Sequence, residues 1–198
     1  VPVSGQGAQA VLRHALNDGP PCAIVGRRAT RPATSRARLH VTLGVTVMTQ
    51  LHGRAFACLL AGLVGDAMGT PTENLEPDQI EQRFGWVTEF SGAGTDDSLM
   101  KDLLSDALVQ TGGYATADDW AAQITAQQAR IRERRDKFFP SVLHLVGKLR
   151  FGYPPREVSD GNMPSSSSAM AIAPVGIVNT GHPRAAAAQA QELASLIH

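Results

Sequence analysis

The chain has 198 residues, of which 43% are apolar and 18% charged, and its 18 basic side chains balance 18 acidic ones. This fits one globular domain or two small ones and excludes collagen-like and coiled-coil readings. A formal net charge of zero leaves no whole-chain field to steer the protein toward nucleic acid or a membrane surface.

Residues 1–47 carry six arginines against the single acid Asp18, whereas residues 48–198 carry twelve basic and seventeen acidic side chains. The first segment mixes Gly, Pro, Arg and Ser without sustained periodicity and reads as a poorly ordered basic arm. Ala10–Leu16 could form a turn or two of helix and Val41–Val47 a strand. Its Arg-rich, acid-poor composition also matches an organellar transit peptide, but it begins at Val1 and lacks a long amphipathic stretch. Met48 is the expected biological start, with residues 1–47 upstream or non-native sequence. Cys22 and Cys58 fall one in each region and form no disulfide framework, which points to a reducing, cytoplasmic setting. The longest apolar run, Ala55 to Val64, is interrupted by Gly62 and closed by Gly65 and Asp66, so no membrane span is expected.

From Arg54 to Met68 the chain is apolar on nearly every face, which predicts a helix buried among others and ended by Gly69 and Pro71. Asp66, within this run, must be hydrogen-bonded or near the polar end of the helix, because a buried unpaired charge costs several kcal/mol. Leu99, Met100, Leu103, Leu104, Ala107 and Leu108 at 3–4 spacing predict a second helix over 98–109, closed by Gly112-Gly113. Thr116 and Asp119 form a capping-box-like start to a third, running from Trp120 to about Lys137, whose Arg130, Arg132, Arg134 and Arg135 read as a solvated face. A short helix over 142–149 follows. Gly152 to Ser168, with three prolines and four consecutive serines, is a long irregular loop of the kind that carries function in a compact domain. Helical patterns resume at 169–178 and 183–197, the last with Pro183 at its first position. No alternating strand pattern follows residue 50, so the fold class is all-α.

Three clusters bear chemistry: Gly65-Asp66-Ala67-Met68-Gly69-Thr70-Pro71-Thr72-Glu73, Gly94-Thr95-Asp96-Asp97-Ser98, and Gly161-Asn162 with Ser165 to Ser168. Thr95, Asp96 and Asp97 put one hydroxyl and two carboxylates at the start of a helix, a set of hard oxygens suited to Mg²⁺ or Mn²⁺ rather than Zn²⁺. Read alone, the same residues are an ordinary N-cap with an acidic first turn. Glu73, in the turn after the first helix, either reaches a pocket at the end of the bundle or is a solvated loop carboxylate.

In order along the chain, Gly62-Leu63-Val64-Gly65-Asp66-Ala67-Met68-Gly69-Thr70-Pro71-Thr72-Glu73, then Thr95-Asp96-Asp97-Ser98-Leu99-Met100, then Gly161-Asn162 leading to Ala169-Met170 and Ala173-Pro174-Val175-Gly176, resemble the ADP-ribosylglycohydrolase family. That family includes the dinitrogenase-reductase-activating glycohydrolases and a lens-crystallin relative. The resemblance implies an all-α fold and a two-metal Mg²⁺ or Mn²⁺ centre in a cleft that takes ADP-ribose. It further implies hydrolysis of the glycosidic bond joining ADP-ribose to a modified protein side chain or a small molecule. By position it makes Thr95, Asp96 and Asp97 metal ligands and Glu73 the carboxylate near the reacting centre and the metals. Gly161, Asn162, Ser165, Ser166, Ser167 and Ser168 match the loop on the ligand's phosphates and ribose, and His198 a ligand-facing histidine.

Two departures stand out. Met163 to Ala171 replaces the family's short glycine turn and Met-Arg pair, with Ala171 where Arg is usual, so the resemblance carries no substrate preference. Family members are also longer, and nothing after residue 100 supplies their second, Asp-x-Asp-Thr acidic motif. The chain is therefore expected to be the N-terminal part of a catalytic domain over 48–198. An inactive fragment or a non-enzymatic, ADP-ribose-binding or crystallin-like relative shares every motif seen.

Overall fold

The structure is a computed structural model that describes residues 35–198 apart from 91 and 93, with side chains from Gln50 onward. Ala10–Leu16 and Cys22 lie outside the described residues. The chain divides at Leu60 and Ala61 into two units. Among the described residues every regular element is helical, so the fold is all-α.

Helix α1 runs from Ser35 to Gly69, so residues 41–47 are helical and not the strand that their β-branched content predicts. It ends where Gly69 and Pro71 said it would. The hydroxyls of Thr70 and Thr72 donate to the Asp66 and Gly69 carbonyls at 2.9 and 2.8 Å, occupying groups that a helix end leaves unpaired. The expected burial of this helix does not hold. From Gln50 to Gly69 only Ala67 is buried, and Phe56 and Leu60 are each 41% exposed. Nor do Gly62, Gly65 and Asp66 break the apolar run, because Gly is tolerated inside a helix at about 1 kcal/mol. Among the described residues, Gln50–Thr72 is long and apolar enough, at a mean hydropathy of 1.2, to cross a membrane by length and composition.

From Ala61 onward the second unit begins with the end of α1 and a short 3₁₀ turn, Thr70–Thr72. Helix α2, Pro77–Phe84, has no counterpart in the apolar pattern. Its start is nonetheless written locally: Pro77 is its first residue, and the Glu76 backbone N–H donates to Gln79 Oε1 at 3.0 Å in a capping box. Helix α3, Asp96–Gln110, carries the predicted apolar face and is capped by Thr95, whose Oγ1 accepts the Asp97 N–H at 3.3 Å. The Gly113 N–H returns to the Leu108 carbonyl at 2.7 Å, with Gly112 and Gly113 both at positive φ.

The predicted helix to Lys137 is divided. Helix α4, Ala117–Ala126, begins with the expected Thr116–Asp119 capping box; Gln127 then leaves the helical geometry, and α5, Gln128–Glu133, and a 3₁₀ turn, Arg135–Lys137, complete the stretch. No Gly or Pro marks this break. The side chains there bind neighbours instead: Gln127 donates to Asp106 at 3.3 Å and Arg130 pairs with Asp102 at 3.2 Å. Arg130 is thus an ion-pair partner of α3 rather than part of a wholly solvated face.

Helix α6, Pro140–Arg150, precedes the irregular 152–166 segment. The single helix predicted over 169–178 is two, α7, Ser167–Ala171, and α8, Ala173–Val178, because Pro174 has no N–H to continue the ladder. Helix α9, Pro183–Ala194, ends the chain's regular structure. The core forms where α3 packs on α4, α7 and α8, with α9 against α4, α7 and α8. Met100, Leu103, Leu104, Trp120, Ile124, Leu145, Leu193, Leu196 and Ile197 are fully buried there. Each such side chain contributes about 1.5–3 kcal/mol by leaving water. This core holds the N-terminus of α3, the start of α6 and the serine-rich segment before α7.

Candidate active site

The N-terminus of α3 is built around a carboxylate from α1. Asp66 Oδ2 accepts the backbone N–H groups of Thr95 and Ser98 at 2.9 and 3.0 Å, and Oδ1 accepts the Thr95 hydroxyl at 2.9 Å. The requirement that the sequence placed on Asp66, a hydrogen-bonded setting, is met. Gly94 makes the approach feasible: its φ is +72°, and a Cβ there would lie 2.4 Å from Asp66 Oδ2.

Beyond this turn lies a cleft of about 530 Å³. Glu73 and Asn74, Asp96 and Asp97, residues 136–140, and Ser165–Ser167 with Met170 form its walls. Glu73 stands at the turn after α1, where Asn74 adopts a φ of +59°, a conformation that Asn accepts more readily than most residues. Asp96 is only 5% exposed, and its Oδ2 accepts the Phe139 N–H at 2.9 Å, tying the first turn of α3 to the cap of α6. Thr95, buried behind the two aspartates, does not reach the wall.

Burial raises the pKa of Glu73, Asp96 and Asp97, and neighbouring carboxylates add to it. For Glu73 the charges of Asp66, Asp96 and Asp97 act in the same direction as desolvation, with Lys137 opposing. Desolvation also leads for Asp96, opposed by the Phe139 N–H. For Asp97 desolvation is followed by Asp66 and Asp96, with Lys101 opposing. These anions crowd one another at the positive end of α3.

Ser165, Ser166 and Ser167 also line the cleft, and buried Ser141 closes a ring of hydroxyls with the first and last of them. Ser141 Oγ lies 2.9 Å from Ser165 Oγ and 3.0 Å from Ser167 Oγ, and the last two are 2.9 Å apart. Ser141 and Ser167 are buried; Ser166 is exposed on the cleft. His198 Nε2 sits 2.9 Å from Ser165 Oγ, one residue removed from the wall. Ser168 Oγ is buried without a hydrogen-bond partner and stands outside the wall. Gly161 and Asn162 also stand outside it. The Asn162 amide is engaged within the protein, accepting from Lys148 Nζ at 3.1 Å and donating to the Ile197 carbonyl at 3.0 Å.

The structure therefore brings Glu73, Asp96, Asp97, Ser165, Ser166 and Ser167 to one cleft, with Thr95 and His198 immediately behind them. Sequence reading missed Asn74, Asp136, Lys137, Phe138, Phe139 and Pro140 on the walls, and named Met170 only as part of a motif. The stretch 136–139 carried no signal beyond a helix end, because its place is set by a hydrogen bond to a residue 43 positions away.

All donors at the cleft are oxygens, which suits a hard divalent cation in kind, and mutual repulsion among the three carboxylates is what such a charge would relieve. Among the described residues no three His, Cys, Asp or Glu side chains stand together as a ready-made metal site. One Asp96 oxygen is taken by Phe139. Glu73, Asp97 and Asp96 are the acidic groups on the wall that could hold a cation, with the Thr95 hydroxyl buried behind them.

Comparison with known proteins places this cleft in a context. The chain is 26% identical over 144 residues to the "uncharacterized protein YegU" of Escherichia coli, a match covering 62% of this chain and 41% of that protein. It is 27% identical over 135 residues to an uncharacterized protein of Archaeoglobus fulgidus, covering 61% and 41% respectively. The chain thus spans about two-fifths of the length of the curated relatives it matches. No solved structure matches it. A sequence profile of the ADP-ribosylglycohydrolase family matches residues 48–198, which include every cleft residue named above, and the chain belongs to that family.

Proposed function

We propose that the protein carrying this chain hydrolyses the glycosidic bond that links ADP-ribose to a modified protein side chain or to a small molecule, in a divalent-cation-dependent reaction. The observation that carries this reading is that Glu73, Asp96 and Asp97, close enough to feel one another's charge, share one cleft with the hydroxyl-bearing Ser165–Ser167 segment. Asp96 and Asp97, with Thr95 behind them, would hold Mg²⁺ or Mn²⁺ together with Glu73. When bound, such an ion supplies Lewis-acid polarisation of ribose hydroxyls and offsets carboxylate charge.

Glu73 is the most exposed of Glu73, Asp96 and Asp97, being on the turn after α1. Its raised pKa suits a group that takes a proton from attacking water or gives one to the leaving atom at the ribose C1. The exposed Ser166 hydroxyl would offer a donor to phosphate or ribose oxygens, with Ser165 and His198 hydrogen-bonded to each other behind it. The reading needs neither nucleic acid nor membrane as a partner and carries with it a cytoplasmic setting.

A second reading, that these 198 residues by themselves are catalytically incomplete, is favoured by the absence of an Asp-x-Asp-Thr motif after residue 100. The test of the first is release of ADP-ribose from ADP-ribosyl-arginine and ADP-ribosyl-serine peptides by the natural protein, with Mn²⁺ or Mg²⁺ and after exhaustive chelation. Release that chelation abolishes and either ion restores is expected. Undiminished release after chelation would overturn the cation-dependent reading.

A further inference from the structure

Asp66 lies outside the cleft wall, yet it accepts more hydrogen bonds than any cleft carboxylate for which bonds are described above. We infer that Asp66 is a positioning residue: it accepts the hydrogen bond of the Thr95 hydroxyl, so that Thr95 Oγ1 would meet a cation only as an acceptor, and it fixes the turn from which Asp96 and Asp97 project. The inference rests on the cation-binding reading of the cleft.

Bond counting supports it. A carboxylate only accepts, and Asp66 is surrounded by three donors: the Thr95 N–H at 2.9 Å, the Ser98 N–H at 3.0 Å and the Thr95 O–H at 2.9 Å. A hydroxyl has one proton and two lone pairs. With its proton on Asp66 and one lone pair receiving the Asp97 N–H at 3.3 Å, Thr95 Oγ1 keeps a single lone pair. Thr95 lies behind the wall, so only a cation seated between Asp96 and Asp97 would meet that remaining site, and it would do so without first turning a proton away. The two backbone bonds to Oδ2 meanwhile lock both ends of the Thr95–Ser98 turn, so Asp96 and Asp97 are carried on a fixed segment.

The geometry also admits no neutral substitute. In Asp66→Asn, the oxygen must stay toward the Thr95 and Ser98 N–H groups, because an amide NH₂ there would set donor against donor. The NH₂ then faces Thr95 Oγ1 and donates to it, which expels the hydroxyl proton from its place. It must turn to the side where a cation would bind. Asp66→Asn therefore keeps the turn and reverses one hydroxyl, a change felt by the cation rather than the fold. Gly94, with room for no Cβ beside Asp66, keeps the carboxylate at this distance.

The test is Mn²⁺ binding to the purified chain, followed by the electron paramagnetic resonance signal of free Mn²⁺, for the parent, Asp66→Asn, Thr95→Ala, Thr95→Ser and the Asp66→Asn/Thr95→Ala double variant. Far-ultraviolet circular dichroism checks helical content throughout. Asp66→Asn is expected to keep its helices and to bind Mn²⁺ at least about tenfold more weakly, the usual size of a loss when the partner of a metal ligand is removed. Thr95→Ala should lose a similar factor, Thr95→Ser should recover it, and the double variant should be no weaker than Thr95→Ala alone, because both changes act through one hydroxyl. Parent-like affinity in Asp66→Asn, or losses that add in the double variant, would overturn the inference while leaving the cation-binding reading intact. A parent chain that binds no Mn²⁺ overturns both. If Asp66→Asn fails to fold, the Thr95 pair decides: loss in Ala with recovery in Ser supports the role of the hydroxyl, and no loss in Ala overturns it.

Discussion

Asp96, in the first turn of α3, accepts the backbone N–H of Phe139, at the cap of α6, across 43 residues at 2.9 Å. One carboxylate thus joins the two helix starts that form adjoining walls of the cleft, and the same carboxylate is raised in pKa by its burial. Asp96→Ala leaves the Phe139 N–H without its partner, at a cost of about 1–3 kcal/mol. Asp96→Asn keeps an oxygen for that N–H and removes the desolvated charge, so its metal-free stability should stay within about 1 kcal/mol of the parent. Urea unfolding distinguishes the two. Equal losses in both variants would show that the charge, not the hydrogen bond, holds α6. If the natural protein has the proposed glycohydrolase activity, Asp96→Asn and Asp97→Asn should each lose most of it while keeping helical content.

Gly94 and Gly161 share a φ of +72° but not a setting. An added Cβ at Gly161 meets nothing within 4 Å, so Gly161→Ala should cost only the backbone strain, about 1–2 kcal/mol. At Gly94 the Cβ also strikes the Asp66 carboxylate, and Gly94→Ala should cost clearly more and weaken Mn²⁺ binding as well. Thermal unfolding of the pair in parallel tests this, and equal melting temperatures would contradict it.

Much of this arrangement was legible before the structure. The all-α fold, the Thr95 and Thr116 caps and the end of α1 followed from local signals, as did the need for a partner at Asp66. What escaped had no local sign. Gln127 leaves the helix without Gly or Pro, and its side chain answers to Asp106 on another helix. The burial of α1 was inferred from composition, yet composition states only what a face would bury, not what covers it. Phe139 reaches the cleft through a bond to a distant residue, and Asn162, placed on the ligand by resemblance, spends its amide on Lys148 and Ile197.

Acidification should stabilise the metal-free chain in one window. Glu73, Asp96 and Asp97 have folded pKa values above the ordinary 4.5, 3.8 and 3.8, so between those ordinary values and the raised ones the folded state binds more protons than the unfolded. Their contribution to stability therefore falls as pH rises through the raised values and is recovered as pH falls back. Saturating Mn²⁺ relieves the same repulsion, so the rise in melting temperature that it causes should be larger at neutral pH than at mildly acid pH. A Mn²⁺ effect that grows on acidification would contradict this.

The uncovered side chains of α1 should make the chain self-associate. Phe56 and Leu60 lie four residues apart and are both 41% exposed, with Leu51 at 43%. Sedimentation velocity should show concentration-dependent association that Phe56→Gln/Leu60→Gln suppresses without loss of helical content. A monodisperse, monomeric parent would contradict it.

The most direct measurement is isothermal titration of the 198-residue chain with Mn²⁺, run beside a glycohydrolase assay on the same sample and on Glu73→Gln and Asp97→Asn. Each divalent ion takes about six oxygens, and Thr95, Asp96, Asp97 and Glu73 do not fill one shell, still less two. Weak, saturable Mn²⁺ binding that both substitutions diminish, with little or no turnover, is the predicted result. Two tight sites with robust turnover, or binding indifferent to both substitutions, would contradict it.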